Sequence, residues 1–173
     1  MKKLLLIPFL AVGLVLPASV ASAMGSGDKL SDLQTGVTYA VYKPSNTLNL
    51  KPLNFEVRPC RLFPGKDSYL LADYGGMDQG IALVESSAAY NCAGLDQPKS
   101  LGTISINGIK AKLGIYCSGA KCVASKFAQY GGEITFTAPG TKSLKPTFIR
   151  LGTQGGFSQS QLVTFAQGLK RVG

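Results

Sequence analysis

Histidine is absent from all 173 residues. That removes the side chain most used as a general base, as the activator of a serine or cysteine nucleophile, and as a metal ligand. Tryptophan is absent as well, and only 16% of the residues are charged. The nine carboxylates form no tight cluster along the chain. Asp73 and Asp78 flank the turn Tyr74-Gly75-Gly76 and read as a solvated turn, since a calcium loop needs a denser alternation of oxygen donors. No Cys-x-x-Cys pair is present, and no dense alternation of basic and aromatic residues that would mark a nucleic-acid platform. Past residue 23 no apolar run approaches the roughly 20 residues of a membrane-spanning helix. These absences rank a hydrolase last among the function classes. They imply no cofactor, no metal, no nucleic acid and a chain that is not an enzyme.

The apolar residues that do run together stand at the beginning. Lys2 and Lys3 precede an apolar stretch from Leu4 to Leu16, and Ala21-Ser22-Ala23 follows it. This is the layout of a secretory signal peptide with a small-residue cleavage site before Met24. Pro8 interrupts the stretch and Pro17 closes it, and it is too short to cross ~30 Å of hydrocarbon. The first cysteine is Cys60, so no lipidation cysteine stands at the cleavage point. Residues 1–23 are therefore expected to leave, and 24–173 to form a single soluble, disulfide-stabilised domain, periplasmic or secreted. A domain of that size buries roughly two-thirds of its unfolded surface.

In an oxidising compartment the four cysteines, Cys60, Cys92, Cys117 and Cys122, read as two disulfides with three possible connectivities. The expected pairs are Cys60–Cys92 and Cys117–Cys122. Chain-entropy arguments give roughly 3.7 kcal/mol for the first and roughly 2 for the second.

Short runs rich in valine, isoleucine, threonine and tyrosine between glycines and prolines favour β structure. The strongest local signal is Asn107-Gly108, which suits both positive-φ positions of a type I′ hairpin turn. Its register places Ile104, Ile106, Ile109, Ala111, Leu113, Ile115 and Cys117 on one face. Thr103, Ser105, Lys110, Lys112 and Tyr116 fall on the other. Further strands are predicted at 37–43, 53–58, 68–73, 80–85, 133–137 and 147–153, and Cys117 to Cys122 as a second hairpin with a disulfide at its neck. One helix is predicted near the carboxy end. Ser158 and Gln161 have capping-box spacing, and Phe157 and Leu162 occupy the staple positions. Leu162, Phe165, Ala166 and Leu169 form its apolar stripe, with Val163 beside it and Lys170 and Arg171 at its cation-favouring end. Leu71-Ala-Asp-Tyr-Gly-Gly76 and Phe127-Ala-Gln-Tyr-Gly-Gly132 share a pattern that raises the question of a duplicated unit, against chance in a glycine-rich β protein. The fold class is α+β: a twisted antiparallel sheet of about six to eight strands with a C-terminal helix packed on it. An all-β barrel or sandwich with an appended helix is the runner-up.

Ser26-Gly-Asp-Lys29 and Ser118-Gly-Ala-Lys121 match Ser-x-x-Lys, and Ser105-Ile-Asn107 and Lys112-Leu-Gly114 approximate the other elements of penicillin-recognising serine enzymes. The context does not fit. Ser26 lies three residues from the expected new terminus, and Ser105-Ile-Asn107 is half of a hairpin turn. Charge is more informative. Residues 24–97 hold six basic and eight acidic residues, whereas 98–173 hold ten basic and one acidic. Lys110, Lys112 and Tyr116 share the exposed face of the Asn-Gly hairpin, and Lys121 adjoins them. These four are the candidate ligand-binding residues, for an anionic lipid, an acidic glycan or an envelope protein. Lysines on such a face also discourage edge-to-edge sheet pairing.

The carboxy-terminal half carries a familiar order. Ile106-Asn-Gly-Ile-Lys-Ala111 leads a strand, Gly132-Glu-Ile-Thr-Phe136 forms another, and Phe148-Ile-Arg-Leu-Gly-Thr153 precedes Ser158-Gln-Ser-Gln-Leu-Val-Thr-Phe-Ala166. Over about 65 residues this resembles envelope domains related to lipoprotein carriers and to periplasmic sensors that restrain anti-sigma factors. The resemblance implies a curved antiparallel sheet with a helix against it, and in some members binding of acyl chains or membrane-derived signals. It carries over no functional residue. The expectation is thus an exported, non-catalytic envelope protein binding something anionic or amphiphilic, an amphiphile lying in an apolar cavity between sheet and helix. The alternative is a structural or protein-interaction module, an accessory subunit or inhibitor.

Overall fold

The computed structural model describes residues 28–60, 67–76, 79–89, 92, 98–117, 119 and 122–173. The expected leader, Ser26, Asp78, Ser118 and the candidate Lys121 lie outside the described residues. In chain order the elements are α1 (Lys29–Leu33), β1 (Tyr42–Pro44), β2 (Pro52–Pro59), β3 (Ser68–Gly75), β4 (Gly80–Ser87), β5 (Lys99–Ile106), β6 (Ile109–Ile115), α2 (Phe127–Tyr130), β7 (Gly132–Ala138), β8 (Thr147–Thr153), α3 (Gln159–Gln167) and β9 (Leu169–Arg171).

Seven strands form one sheet in the order β2-β3-β4-β8-β7-β6-β5, and β1 pairs with β9 in a separate two-stranded ribbon. Every pair is antiparallel. Two meanders, β2–β4 and β5–β8, are thereby joined side by side where β4 meets β8. The sheet does not close: β2 and β5 are its edges. The fold is α+β rather than a barrel.

Period-two alternation decides which face of the sheet becomes core. Leu70, Ala72 and Tyr74 of β3, Ile81 and Leu83 of β4, Ile149 and Leu151 of β8, Ile134 and Phe136 of β7, and Ala111, Leu113 and Ile115 of β6 are all buried. The Asn107-Gly108 turn has φ of 50° and 82° at its two central residues, and it sets Ile106 opposite Ile109, as its chemistry requires.

The core face is covered by α3 and by the segment from Val37 to Tyr42. Ser158 caps α3 reciprocally: the Gln161 amide donates to Ser158 Oγ at 3.2 Å, and the Ser158 amide donates to Gln161 Oε1 at 2.9 Å. Leu162, Phe165 and Ala166 are fully buried, and the Phe165 ring meets Tyr74 edge-on with centroids 5.3 Å apart. Burying Leu162 and Phe165 contributes about 1.5–3 kcal/mol each. The helix sits directly on the sheet, so the space in which an amphiphile was expected is filled by side chains. Tyr39, Ala40 and Val41 are also fully buried. Their backbone is satisfied by Gln34, whose side chain accepts from Val41 and donates to the Tyr39 carbonyl, both at 2.8 Å, and by the Lys145 carbonyl, which accepts from Ala40 at 3.1 Å.

Both disulfides pair as expected, Cys60 with Cys92 and Cys117 with Cys122. Two disulfides are in keeping with an oxidising, extracytoplasmic setting. Among the described residues no helix is long and apolar enough to cross a membrane.

Four sequence readings need correction. Cys117 and Cys122 do not close a hairpin: Val123 leads instead into a 3-10 turn at Ala124–Lys126 and then α2. The strand expected over 37–43 shrinks to Tyr42–Pro44, with only an isolated bridge from Tyr39 to Lys145 before it. Lys170 and Arg171 do not sit at the end of α3, because Gly168 caps the helix and Leu169–Arg171 turns into β9. The two Tyr-Gly-Gly segments are not copies of one unit. The first is the end of strand β3, with Tyr74 in the core; the second is helix α2, with Tyr130 at the surface.

Candidate ligand-binding face

The face of the sheet turned away from α3 bears an open concavity of about 1220 Å³. One cross-strand row on this face runs Asp73, Ala82, Gly152, Glu133, Gly114 from β3 to β6. Between the two carboxylates only a methyl group and a hydrogen rise from the backbone, which gives the trough its depth. Side chains close in on both glycines of the row, most tightly on Gly114. A Cβ at Gly152 would lie 3.2 Å from the Tyr116 hydroxyl, and one at Gly114 only 2.5 Å from the Pro98 ring. Pro98 thus closes the β6 end of the trough.

The adjacent row runs Leu71, Val84, Arg150, Thr135, Lys112. Arg150 anchors a polar cluster on the floor. Its Nε donates to Glu133 Oε2 at 2.5 Å and its Nη2 donates to the Tyr116 hydroxyl at 3.1 Å, while that hydroxyl donates to Glu133 Oε2 at 2.7 Å. The Arg150 and Glu133 side chains are 12% and 9% exposed. A charge-assisted pair this dry is shorter and stronger than a surface ion pair. Burial first, and the bond to the Glu133 carboxylate second, push the Tyr116 phenol up to about 12. It stays protonated, as its role of donor to Glu133 requires.

At the β2 end stand Asn54 and Asp73. Burial raises the Asp73 carboxyl above the usual carboxylate range. On the opposite rim, Tyr130 ends α2 and is followed by Gly131 at φ 71°. A Cβ at Gly131 would come within 2.0 Å of the Thr153 carbonyl oxygen, so no other residue fits this turn. The turn aims Tyr130 at the concavity. Among the described residues three large apolar or aromatic side chains are markedly exposed, and two of them, Leu53 at 64% and Tyr130 at 36%, line this trough.

Three of the four sequence candidates fall among the described residues. Lys110 and Lys112 are exposed on β6, as expected. Tyr116 is not their solvent-facing neighbour but half-buried and locked to Glu133 and Arg150. Lys121 lies outside the described residues. Lys112 shares its cross-strand row with Arg150, so the basic face and the trough adjoin. Sequence reasoning missed Arg150, Glu133 and Tyr130. A signal was present for the first two: each is the only charged residue of its strand, each points away from the apolar face, and their charges are opposite. No family model, curated protein or solved structure matches the chain.

Proposed function

We propose that the chain is an exported, non-catalytic cell-envelope protein that binds an anionic partner along the open face of its sheet, through its basic carboxy-terminal half. The observation that carries this reading is the concavity itself. One face of the sheet is sealed by α3, and the other is left open over a preorganised Arg150–Tyr116–Glu133 floor, with Lys112 at its side. Pre-formed concave sites with a few fixed polar groups are the usual form of a ligand site. Ten basic residues against one acidic residue over 98–173 give that side the field to attract an anion. A non-catalytic role fits the absence of histidine. It also fits the placing of Asp73 and Glu133, three strand spacings apart, about 14 Å between backbones. Paired catalytic carboxyls in glycosidases stand about 5–9.5 Å apart.

Retention of the protein on acidic liposomes and on immobilised acidic glycans tests the reading. Binding to at least one of the two is expected, falling as ionic strength rises past about 0.15 M. Replacing Lys110, Lys112 and Lys121 by glutamine is expected to weaken it several-fold. Retention unchanged by salt and by these substitutions would overturn the proposal.

A further inference from the structure

Resting on that reading, we infer that the trough is the binding site of an acidic oligosaccharide, laid across the strands with one ring on Tyr130. Three observations converge on this ligand class.

The first is shape. The lining runs from Leu53 and Asn54 on β2 to Tyr116 just past β6. Five strand spacings separate those strands, about 24 Å at ~4.8 Å each. Its floor is kept flat by Gly80, Ala82 and Gly152. A long, open slot suits a chain of rings better than a compact small molecule.

The second is the polar chemistry. Asn54, Asp73 and Gln154 put planar amide or carboxylate groups on the walls. Each offers paired hydrogen-bonding atoms that match neighbouring hydroxyls on a ring. The Asp73 side chain is half-buried and has no hydrogen-bond partner among the described residues, which leaves its acceptors for a ligand hydroxyl. An acyl chain laid in the same slot would strip water from the Asp73 carboxylate without replacing its hydrogen bonds, a substantial cost.

The third is the aromatic rim and the charge. Tyr130, about a third exposed, presents an apolar ring face with a polar tip, on which the C–H face of a sugar ring can rest. Lys112, exposed and without an ion pair among the described residues, stands two strands from Arg150 on the same row and meets the carboxylates of an acidic sugar.

Titration calorimetry of the protein with short oligogalacturonates and oligomannuronates decides the matter, with the methyl esters and phosphatidylglycerol vesicles as comparisons. The free acids are expected to bind, the esters more weakly. Tyr130→Ala and Gln154→Ala, both at exposed positions, are expected to lower affinity at least about fivefold with an unchanged melting temperature. Asp73→Asn is expected to lower it less, because an amide still offers one acceptor. Vesicle binding with no saccharide binding, or saccharide binding indifferent to Tyr130 and Gln154, would overturn this assignment while leaving the anionic-partner reading in place. Failure to bind either class would overturn both.

Discussion

Two glutamates are buried in the main sheet, one on each face, and they are satisfied in opposite ways. Glu133 faces the trough and has a guanidinium and a phenol to hold it. Glu85 faces the core, fully buried, and both its oxygens lean on one donor, the Tyr42 amide at 3.1 Å. The Tyr39 hydroxyl bonds the Glu85 backbone carbonyl instead, at 2.9 Å. No cation pairs with Glu85 among the described residues, and burial holds its carboxyl well above the ordinary 4.5. The folded chain therefore keeps a proton there that the unfolded chain releases. Between about pH 4.5 and the folded-state value, native Glu85 binds more proton than unfolded Glu85, so its contribution to stability falls as pH rises. Glu85→Gln is expected to remove that slope. Urea midpoints at about pH 5 and pH 8 should converge in the variant relative to the parent, and a slope identical in both proteins would contradict this account. The inward position of Glu85 was legible from the alternation Ile81, Leu83, Glu85. Its lone partner was not, because the Tyr42 amide comes from 43 residues away.

At the level of elements, local chemistry was read well where one signal controlled the outcome. The Asn107-Gly108 turn fixed register, and the Ser158-x-x-Gln161 box fixed the start of α3. Ser158→Ala is expected to cost about 1 kcal/mol, seen as a lower melting temperature with the sheet intact. An unchanged melting temperature would mean that packing of Phe165 against Tyr74, not the cap, sets the helix boundary. Local reading failed where distant partners competed. Leu169 continues the apolar spacing of α3, yet Gly168 stops the helix and β1 offers a strand partner for Leu169–Arg171. Phe127-Ala-Gln-Tyr-Gly-Gly132 copies the letters of a β3 segment. In its own place Phe127 is buried at the start of a helical turn that Gly131 ends, and strand pairing begins only at Gly132. The trough was illegible for the same reason. Its floor is assembled from positions spread from β3 to β8, and each looks like an ordinary outward strand residue.

For the molecule as a whole, the sheet order sets a timetable. β4 has β3 beside it within a few residues, but its other edge waits for β8, and Ser87 and Thr147 are 60 residues apart in the chain. In the folding chain that edge stands open until β8 docks on it. An apolar strand with one unpaired edge is a template for association with other chains. A chain ending after Pro146 is accordingly expected to scatter light and pellet, whereas the full chain stays dispersed; a soluble, monomeric truncation would show that the edge is protected by other means. The side-by-side joining of two meanders is thus also a statement about time. The strand that supplies Arg150 to the trough is the same one that closes β4, so the binding face and the finished sheet come into being in a single step.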